Sequence, residues 1–320
     1  MSATCVWVVA RRVEWSSLAA AVAQVNVAWL GATVLVQASA FGVAALRWRR
    51  LVERRVRLSW LQAFESLMIG NFTNLVVPTR LGDVMRGLLV AQRGNVPVGP
   101  VIAAIVLERV ADLLMLVTIG FSLSMIVPVP PGVAVAIRAL AAATFGAILC
   151  FVVFGERFAR AARALLKVVA PALAEPVGRH VDTFVLELKT IGGVARGASV
   201  IALSATAWLL FGAAFVCSIV AFHLPVPWYA GLFVAVVVNL GGLVPSSPGA
   251  IGVYHYLAML ALSPWLRDPG TALGFAIVTH ALGLAVVIAC GGLSLIHQGL
   301  SFHALSAAKP PAIEPEHRLA

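Results

Sequence analysis

Long apolar stretches separated by short polar links dominate this chain, and they predict membrane-spanning helices. Crossing the hydrocarbon core of a bilayer takes about 20 mostly apolar residues. The pattern therefore predicts an all-α fold, a polytopic membrane helix bundle. Five stretches are long enough to be full spans: Leu18–Leu46, Val101–Val127, Val133–Phe154, Ala198–Phe222 and Thr271–Ile296.

Two further apolar regions, Ser59–Gln92 and Trp228–Leu262, are interrupted near their middles by proline and glycine. The interruptions read NFTNLVVPTRLGD at Asn71–Asp83 and NLGGLVPSSPGAIG at Asn239–Gly252. Helix breaks at membrane depth persist only where protein or a water-filled cavity surrounds the freed backbone groups. We therefore expect two re-entrant or broken helical hairpins beside a transport site, with structural breaks at Pro78, Gly82, Pro245 and Pro248.

Basic residues predict the topology, because Lys and Arg accumulate in cytoplasmic loops. Arg47–Arg57 contains six arginines and one acid, and Gly155–Gly197 has seven basic and four acidic residues, so both are placed in the cytoplasm. The two hairpins then enter from opposite faces and the C-terminus is cytoplasmic. Such a pair is what an inverted-topology repeat leaves in a sequence. The alternative is chance, since proline and glycine are common in membrane helices.

The cytoplasmic link also carries a helical pattern. Basic residues at 157, 160, 163 and 167 follow helical spacing, which predicts an amphipathic segment on the inner leaflet within residues 155–197. A solvated cytoplasmic helix would have the same spacing. Residues 1–300 are thus expected to form an integral membrane domain of lipid-translocase type, and residues 301–320 a cytoplasmic Pro-rich tail without order.

Composition agrees with a membrane protein. The 320 residues are 61% hydrophobic and 11% charged, with a mean hydropathy of +0.98, whereas roughly a quarter of the residues of a soluble domain are charged. The net charge of +10 is assigned to cytoplasmic loops rather than to a nucleic-acid partner. The four cysteines are scattered singly and suggest neither a disulfide framework nor a metal site, and no cofactor is expected.

Ionisable residues within the apolar regions concentrate in the first half, where they are expected to face a cavity. Arg80, Asp83 and Arg86 recur at a spacing of three and lie along one helix face. Two guanidiniums with an acid between them could hold the phosphate of a lipid headgroup. A structural ion network, or the cytoplasmic end of the hairpin, would give the same pattern.

Glu108, Arg109 and Asp112 follow one to two turns into a span, at spacings that bring both acids within reach of the arginine. Arg109 could instead bridge to Asp83 on the hairpin. Paired carboxylates also occur in glycosidases, but the chain offers no soluble substrate cleft, so catalysis is not expected. We group these three residues in a supporting intramembrane polar network whose other members are Asn71, Asn74, Asn239 and His255.

The second interruption offers backbone groups rather than charges. Ser247 is placed to cap a helix that begins at Pro248, and Gly249 and Gly252 would leave the amides of that helix start open to an anionic headgroup. A kink that satisfies its own hydrogen bonds is the alternative. His255 lies farther along and could titrate near neutral pH, although a lone membrane histidine is more often a packing residue.

Four segments in this order resemble one known family. They read LRWRRL at Leu46–Leu51, RLGDVMRGLL at Arg80–Leu89, LERVADLLML at Leu107–Leu116 and VPSSPGAIGV at Val244–Val253. The chain is identified as a member of the flippase-like transmembrane domain family of lysylphosphatidylglycerol synthetases, in a free-standing form. The resemblance implies a helical bundle that moves an aminoacylated phospholipid or a similar lipid between leaflets of a bacterial-type plasma membrane.

The resemblance also assigns residues and shows two departures. Its motifs correspond to positions 78–86, 108–112 and 245–252, which contain the residues chosen above. Family members commonly have an acid where this chain has His255, and Met1–Ala10 stands where they have a first helix, which a true N-terminus could still carry. No soluble synthase domain is expected after Ile296, so transfer of lysine to lipid is not expected of this polypeptide.

Sequence therefore leads to three hypotheses. The first is a non-enzymatic translocase for an anionic or amphipathic lipid, which includes aminoacylated phospholipids and polyprenyl or glycolipids. The second is a lipid-binding membrane partner of a glycosyltransferase or lipid-modifying enzyme, and the third is an intramembrane enzyme. Membrane lipids are the expected ligands, and an oligomer is compatible with all three.

Overall fold

Helices joined by short turns make up the fold. The computed structural model describes residues 15–76, 81–129, 131–169, 194–242 and 248–299. This part of the chain contains no β-strand, so the prediction of an all-α helix bundle is confirmed. Its elements are α1 Trp15–Ala23, α2 Val27–Val52, α3 Trp60–Val76, α4 Gly82–Gly94, α5 Val98–Leu123, α6 Pro131–Val169, α7 Val194–Ala221, α8 Tyr229–Gly241, a 3₁₀ turn at Pro248–Ala250, α9 Val253–Leu262 and α10 Pro269–His297.

The first predicted span, Leu18–Leu46, is wrong at both ends. Asn26 has an extended backbone, and its side-chain oxygen accepts hydrogen bonds from the amides of the second and third residues of α2, at 3.0 and 3.3 Å. It therefore caps a new helix and separates α1 from α2. α2 then continues beyond the predicted end to Val52, because the charge of Arg47 is buried against carboxylates.

By length and composition, three helices of the described ranges are able to cross a membrane, namely α2, α7 and α10. This is fewer than the five full spans predicted. α5 has 26 residues, as many as α2, but it carries three ionisable side chains. In α6 the apolar stretch Pro131–Ala147 is shorter, and the helix continues to Val169 in the predicted cytoplasmic link. The amphipathic character of that link stays a prediction.

The first interrupted region folds into two helices, α3 and α4, that pack against each other. The side-chain oxygen of Asn74, near the end of α3, accepts a hydrogen bond from the amide of Gly82 at 2.8 Å. It thereby satisfies a backbone donor at the start of α4. Pro78 and Arg80 lie between the helices, outside the described residues. The orientation of this hairpin in the bilayer stays a prediction.

Gly82 permits this close approach, so its replacement by alanine is expected to separate the two helices. A Cβ atom there would overlap the backbone carbonyl oxygen of Gly70 and lie 2.7 Å from the side chain of Asn74. Overpacking of this kind typically lowers the free energy of unfolding by about 1–3 kcal/mol. Thermal unfolding of Gly82→Ala in detergent measures the loss. Gly146→Ala is the control, because nothing lies within 4 Å of its Cβ position, and equal melting of the two variants would contradict the close contact.

The second interrupted region also forms two packed helices, α8 and α9, but the predicted helix start at Pro248 is wrong. Pro248 begins a 3₁₀ turn, and α9 begins only at Val253. The backbone of the turn explains the difference, because a right-handed helix ends where residues enter the left-handed region. Positive φ angles are found at Gly249 (67°), Ala250 (55°) and Gly252 (86°).

Helix α8 lies inside the bundle and packs against α5, α7 and α9. Its sequence is apolar on all sides before Asn239, as expected for a buried helix, and Phe233 and Val234 are inaccessible to solvent. On α10, Phe275 is equally buried and belongs to the same core cluster. This core fixes the second hairpin against the last helix. The relation of the two hairpins by an inverted repeat stays a prediction.

Asp268 caps α10 and provides a pH-dependent contribution to stability. Its carboxylate accepts hydrogen bonds from the amides of Gly270 and Thr271, both at 3.0 Å. A further hydrogen bond from the Thr271 hydroxyl holds the pKa of the Asp268 carboxyl below its usual value. The ionised carboxylate is therefore favoured in the folded protein.

We expect Asp268→Ala to lower the free energy of unfolding by about 1 kcal/mol at neutral pH. Because the folded pKa lies below the unfolded value of about 3.9, the contribution of the cap is complete above that value. It is lost as the pH falls through the folded pKa, so wild type and variant should converge in acid. Melting temperatures across this range measure the convergence, with Arg267→Ala as control. A difference that does not change with pH would contradict the prediction.

Candidate functional site

A cavity of about 340 Å³ lies among the helices of the bundle. Residues from α2, α3, α5, α7, α8, α9 and α10 line it. Both hairpins contribute to its wall, since Asn71 of α3 and Asn239 of α8 are among these residues. The cavity therefore brings together the two interrupted regions that the sequence singled out. Its volume is within the range of small-ligand sites.

At its charged end, four side chains of a network of three arginines and three carboxylates line the cavity, namely Arg47, Glu108, Arg109 and Asp112. The formal charges of the network cancel. Its members come from α2, α4 and α5 and are joined by ion pairs of 3.5 Å or less. Charged groups removed from water are tolerated only when they are paired in this way. The network consists of Arg47, Asp83, Arg86, Glu108, Arg109 and Asp112.

Arg86 is the most buried cation of this network, with no accessible surface. Its Nη1 donates to both oxygens of Glu108 at 3.2 and 3.1 Å, and its Nη2 donates to Asp83 at 3.1 Å. The guanidinium carbon also lies 4.4 Å from the ring centroid of Trp48, a cation–π distance. These contacts are those of the structural ion network that the sequence left open as an alternative. A headgroup role for Arg86 stays untested.

Arg47 is buried between α2, α5 and α7. Its guanidinium donates to Glu108 at 3.1 Å, to both oxygens of Asp112 and to the hydroxyl of Ser204 at 3.1 Å. The sequence did not single out this residue, because the run LRWRRL was taken as a cytoplasmic loop. A signal was present: Arg47 lies at helical spacing from Ala40 and Ala44, both buried, and so continues the inward face of α2.

Arg109 differs from the other two arginines because 49% of its side chain is exposed. It lines the cavity and pairs with Asp83 at 3.2 Å, as one of the sequence alternatives predicted. It also contacts Asp112 at 3.4 Å and Glu108 at 3.5 Å. Of the three arginines of the network, Arg109 is the one whose side chain is both exposed and on the cavity wall. It is the guanidinium best placed to meet an anion.

Aromatic rings form the wall next to this charged end. The indole Nε1 of Trp208 donates to Asp112 at 2.9 Å, which connects the ring to the network. Its ring centroid lies 5.6 Å from that of Phe211, which in turn stands edge-on to Phe41 at 5.2 Å. All three line the cavity. None was predicted from sequence, because apolar helices contain such residues throughout.

A second polar group lies at the wall formed by α9 and α10. The rings of Tyr254 and His280 stack with centroids 4.2 Å apart, and the tyrosine hydroxyl donates to Thr279 at 3.2 Å. The Nδ1 atom of His280 lies 3.4 Å from Nε2 of His255. Because Nδ1 of the neutral His255 ring accepts a hydrogen bond, the proton of that ring is on Nε2, which donates to His280. The proton role of His255 stays a prediction.

The residues predicted at the second interruption are arranged differently from the expectation. His255 lies in the first turn of α9, and its Nδ1 accepts a hydrogen bond from the Gly252 amide at 3.2 Å. That amide is therefore not open to an anion, and His255 supplies this cap of α9. Ser247 and Pro245 fall outside the described residues. Gly249 approaches Leu75 of the first hairpin, so the two interrupted regions lie next to each other.

Comparison with known proteins gives a family and a relative. The family model described as the lysylphosphatidylglycerol synthase TM region matches residues 1–291. A curated relative, glycosyltransferase AglD of Haloferax volcanii, is 26% identical over 331 aligned residues, which cover 92% of this chain and 52% of the relative. The chain thus spans about half the length of that relative. No solved structure matches the chain.

Proposed function

Because this chain belongs to the family of the lysylphosphatidylglycerol synthase transmembrane region, we propose that it translocates an anionic lipid between the leaflets of a cell membrane. The proposed setting is the plasma membrane of a bacterial-type cell. The arginine-rich segments favour an orientation in which they and the C-terminus lie in the cytoplasm. The lipid headgroup would cross through the cavity while its acyl chains stay in the bilayer. Movement of the two hairpins against each other would open the cavity alternately to each side.

A single observation carries this proposal, namely the exposed guanidinium of Arg109 on the wall of a cavity within apolar helices. A charge in such a place is expensive and normally works on a ligand or an ion. Arg47 and Arg86 neutralise most of the negative charge of Glu108. Arg109 therefore retains donors for a phosphate, to which a guanidinium binds strongly.

Transport is favoured over catalysis by the state of the acids. Glu108 is contacted by three arginines and Asp112 by two. General acid–base catalysis needs a side chain within hydrogen-bond reach of the substrate. The oxygens of these two carboxylates already accept hydrogen bonds from arginines, so they are poorly placed to meet a substrate. We therefore do not assign the chain an intramembrane enzyme activity.

The test is transport by the purified protein in vesicles. Proteoliposomes containing a phosphatidylglycerol with a fluorescent headgroup are treated with dithionite, which bleaches only the outer leaflet. Translocation is expected to bring nearly all of the label within reach, whereas about half stays protected in protein-free vesicles. Protection that does not differ between the two preparations would contradict the proposal.

A second candidate function is supported by the relative. AglD is named a glycosyltransferase, and this chain aligns with about half of it. A chain of this kind could hold a lipid substrate for a glycosyltransferase, in the same polypeptide or as a separate partner, without moving it. This function predicts that the chain binds lipid and co-purifies with a glycosyltransferase but leaves dithionite protection unchanged.

A further inference from the structure

We propose that the translocated lipid carries an uncharged, hydroxyl-rich headgroup on its phosphate, such as a sugar or an inositol ring, and not a cationic aminoacyl group. The inference rests on the proposed function and specifies its substrate class. Some hydrogen-bonding groups of the cavity already have partners within the protein, and others have none. The substrate class follows from this difference.

A cationic headgroup would lack a counter-charge in this cavity. Of the described residues that line it, Glu108 and Asp112 are the carboxylates, and arginines contact both. Asp83, the third acid of the network, is paired with Arg86 and Arg109. An ammonium group brought out of water needs an acceptor of opposite charge. It would instead meet a network that is neutral overall and exposes a guanidinium.

Uncharged polar groups, in contrast, are open on the cavity wall. In the described part of the chain, the side-chain amides of Gln37 and Asn71 form no hydrogen bond. Both residues line the cavity, and neither amide is a fully buried polar group without a partner. Asn239 donates to the carbonyl of Ala235 at 2.8 Å and keeps its own side-chain oxygen available. An amide both donates and accepts, and so does a hydroxyl. These amides therefore match a polyol.

The aromatic wall fits the same ligand. Phe41 and Phe211 meet edge to face, which leaves ring surface between the charged end and the open amides. Ligand sites usually combine aromatic side chains with a few polar groups that fix orientation. A single sugar-sized ring could lie against this wall with its phosphate at Arg109. The cavity of about 340 Å³ is large enough for such a headgroup.

The inference is tested by lipid binding to the whole protein in phosphatidylcholine nanodiscs. Three probes with identical acyl chains are compared: phosphatidylinositol, phosphatidic acid and lysylphosphatidylglycerol. All three contain a phosphate. Phosphatidylinositol carries a polyol on it, phosphatidic acid carries no further group, and lysylphosphatidylglycerol carries an ammonium-bearing group. We expect phosphatidylinositol to bind at least tenfold more tightly than lysylphosphatidylglycerol, and more tightly than phosphatidic acid, by native mass spectrometry.

A pair of variants locates the preference. Gln37→Leu is expected to reduce phosphatidylinositol binding to the level of phosphatidic acid, while Gln92→Leu, on the exposed face of α4, leaves it unchanged. Lysylphosphatidylglycerol that binds as tightly as phosphatidylinositol overturns the substrate class but leaves lipid translocation standing. Equal binding of phosphatidylinositol and phosphatidic acid also overturns it. If the protein retains no anionic lipid above phosphatidylcholine, both the inference and the proposed function fail.

Discussion

Replacing Arg86 by glutamine is expected to lower the free energy of unfolding by about 3–5 kcal/mol. Arg86 has no accessible surface, and its Nη1 binds both oxygens of Glu108. The variant would leave Glu108, itself 1% exposed, with a buried charge that is only partly compensated. It would also remove the guanidinium from the face of Trp48. The apparent melting temperature in detergent, relative to wild type, measures the loss.

Arg93→Gln is the matched control, because it makes the same change on the same helix at an exposed position. A double variant, Arg86→Gln with Glu108→Gln, provides a second check. Removing both charges should recover part of the stability, since the two side chains interact directly. If Arg86→Gln melts at the same temperature as Arg93→Gln, the buried network does not hold α4 to α5. The same conclusion follows if the double variant recovers none of the lost stability.

Replacing Arg109 by glutamine is expected to impair transport and leave the stability of the fold nearly unchanged, in contrast to the replacement of Arg86. About half of this side chain is exposed, it lines the cavity, and its ion pairs of 3.2–3.5 Å are shared with better-buried arginines. A hydrogen bond from a charged donor contributes about 1.5–3 kcal/mol. Its loss corresponds to at least a tenfold lower rate of lipid translocation, while the melting temperature changes little.

Two variants give this prediction its controls. Arg109→Lys keeps the charge without the planar fork and should transport at an intermediate rate. Arg50→Gln removes an exposed arginine that is also paired with an acid, Glu53, but lies outside the cavity. It should transport as wild type does. A rate for Arg109→Gln equal to that of Arg50→Gln would contradict the assignment of the headgroup to Arg109.

Much of the fold could be predicted because its signals are local. α7 and α10 are long apolar runs with few charges, and each begins and ends within a few residues of its predicted span. The breaks near Pro78 and Pro248 were visible because proline and glycine act on their own neighbourhood. Family membership was equally accessible, since four short motifs stand in order, and the family match confirms it.

Other features could not be predicted because they depend on distant partners. Arg47 lies 65 residues from Asp112 in sequence, so its burial follows from the packing of α2 against α5 and not from the local pattern. Asn26 interrupts an apolar run by capping α2, and its backbone amide donates to Ala221 at the end of α7. The left-handed turn before α9 was missed because alanine rarely adopts a positive φ angle, whereas Ala250 does so here.

The site was predicted in part. Sequence grouped Glu108 with Arg109 and Asp112 and offered a bridge from Arg109 to Asp83 as an alternative, and the structure joins these four side chains in one network. It did not separate the roles of the arginines, because exposure depends on the helices that surround each one. Their function as a headgroup site stays a prediction.

The central claim is that the lipid headgroup occupies the cavity between the two hairpins, and photo-crosslinking tests it most directly. A phosphatidylglycerol with a photoreactive headgroup is activated in vesicles with the protein, and labelled peptides are mapped. The prediction is adducts near Phe41, Arg109 and Phe211 that unlabelled lipid competes away and that Arg109→Gln reduces. Adducts confined to outward-facing residues of the same helices, such as Leu35 and Leu209, which are 70% and 52% exposed, would contradict it.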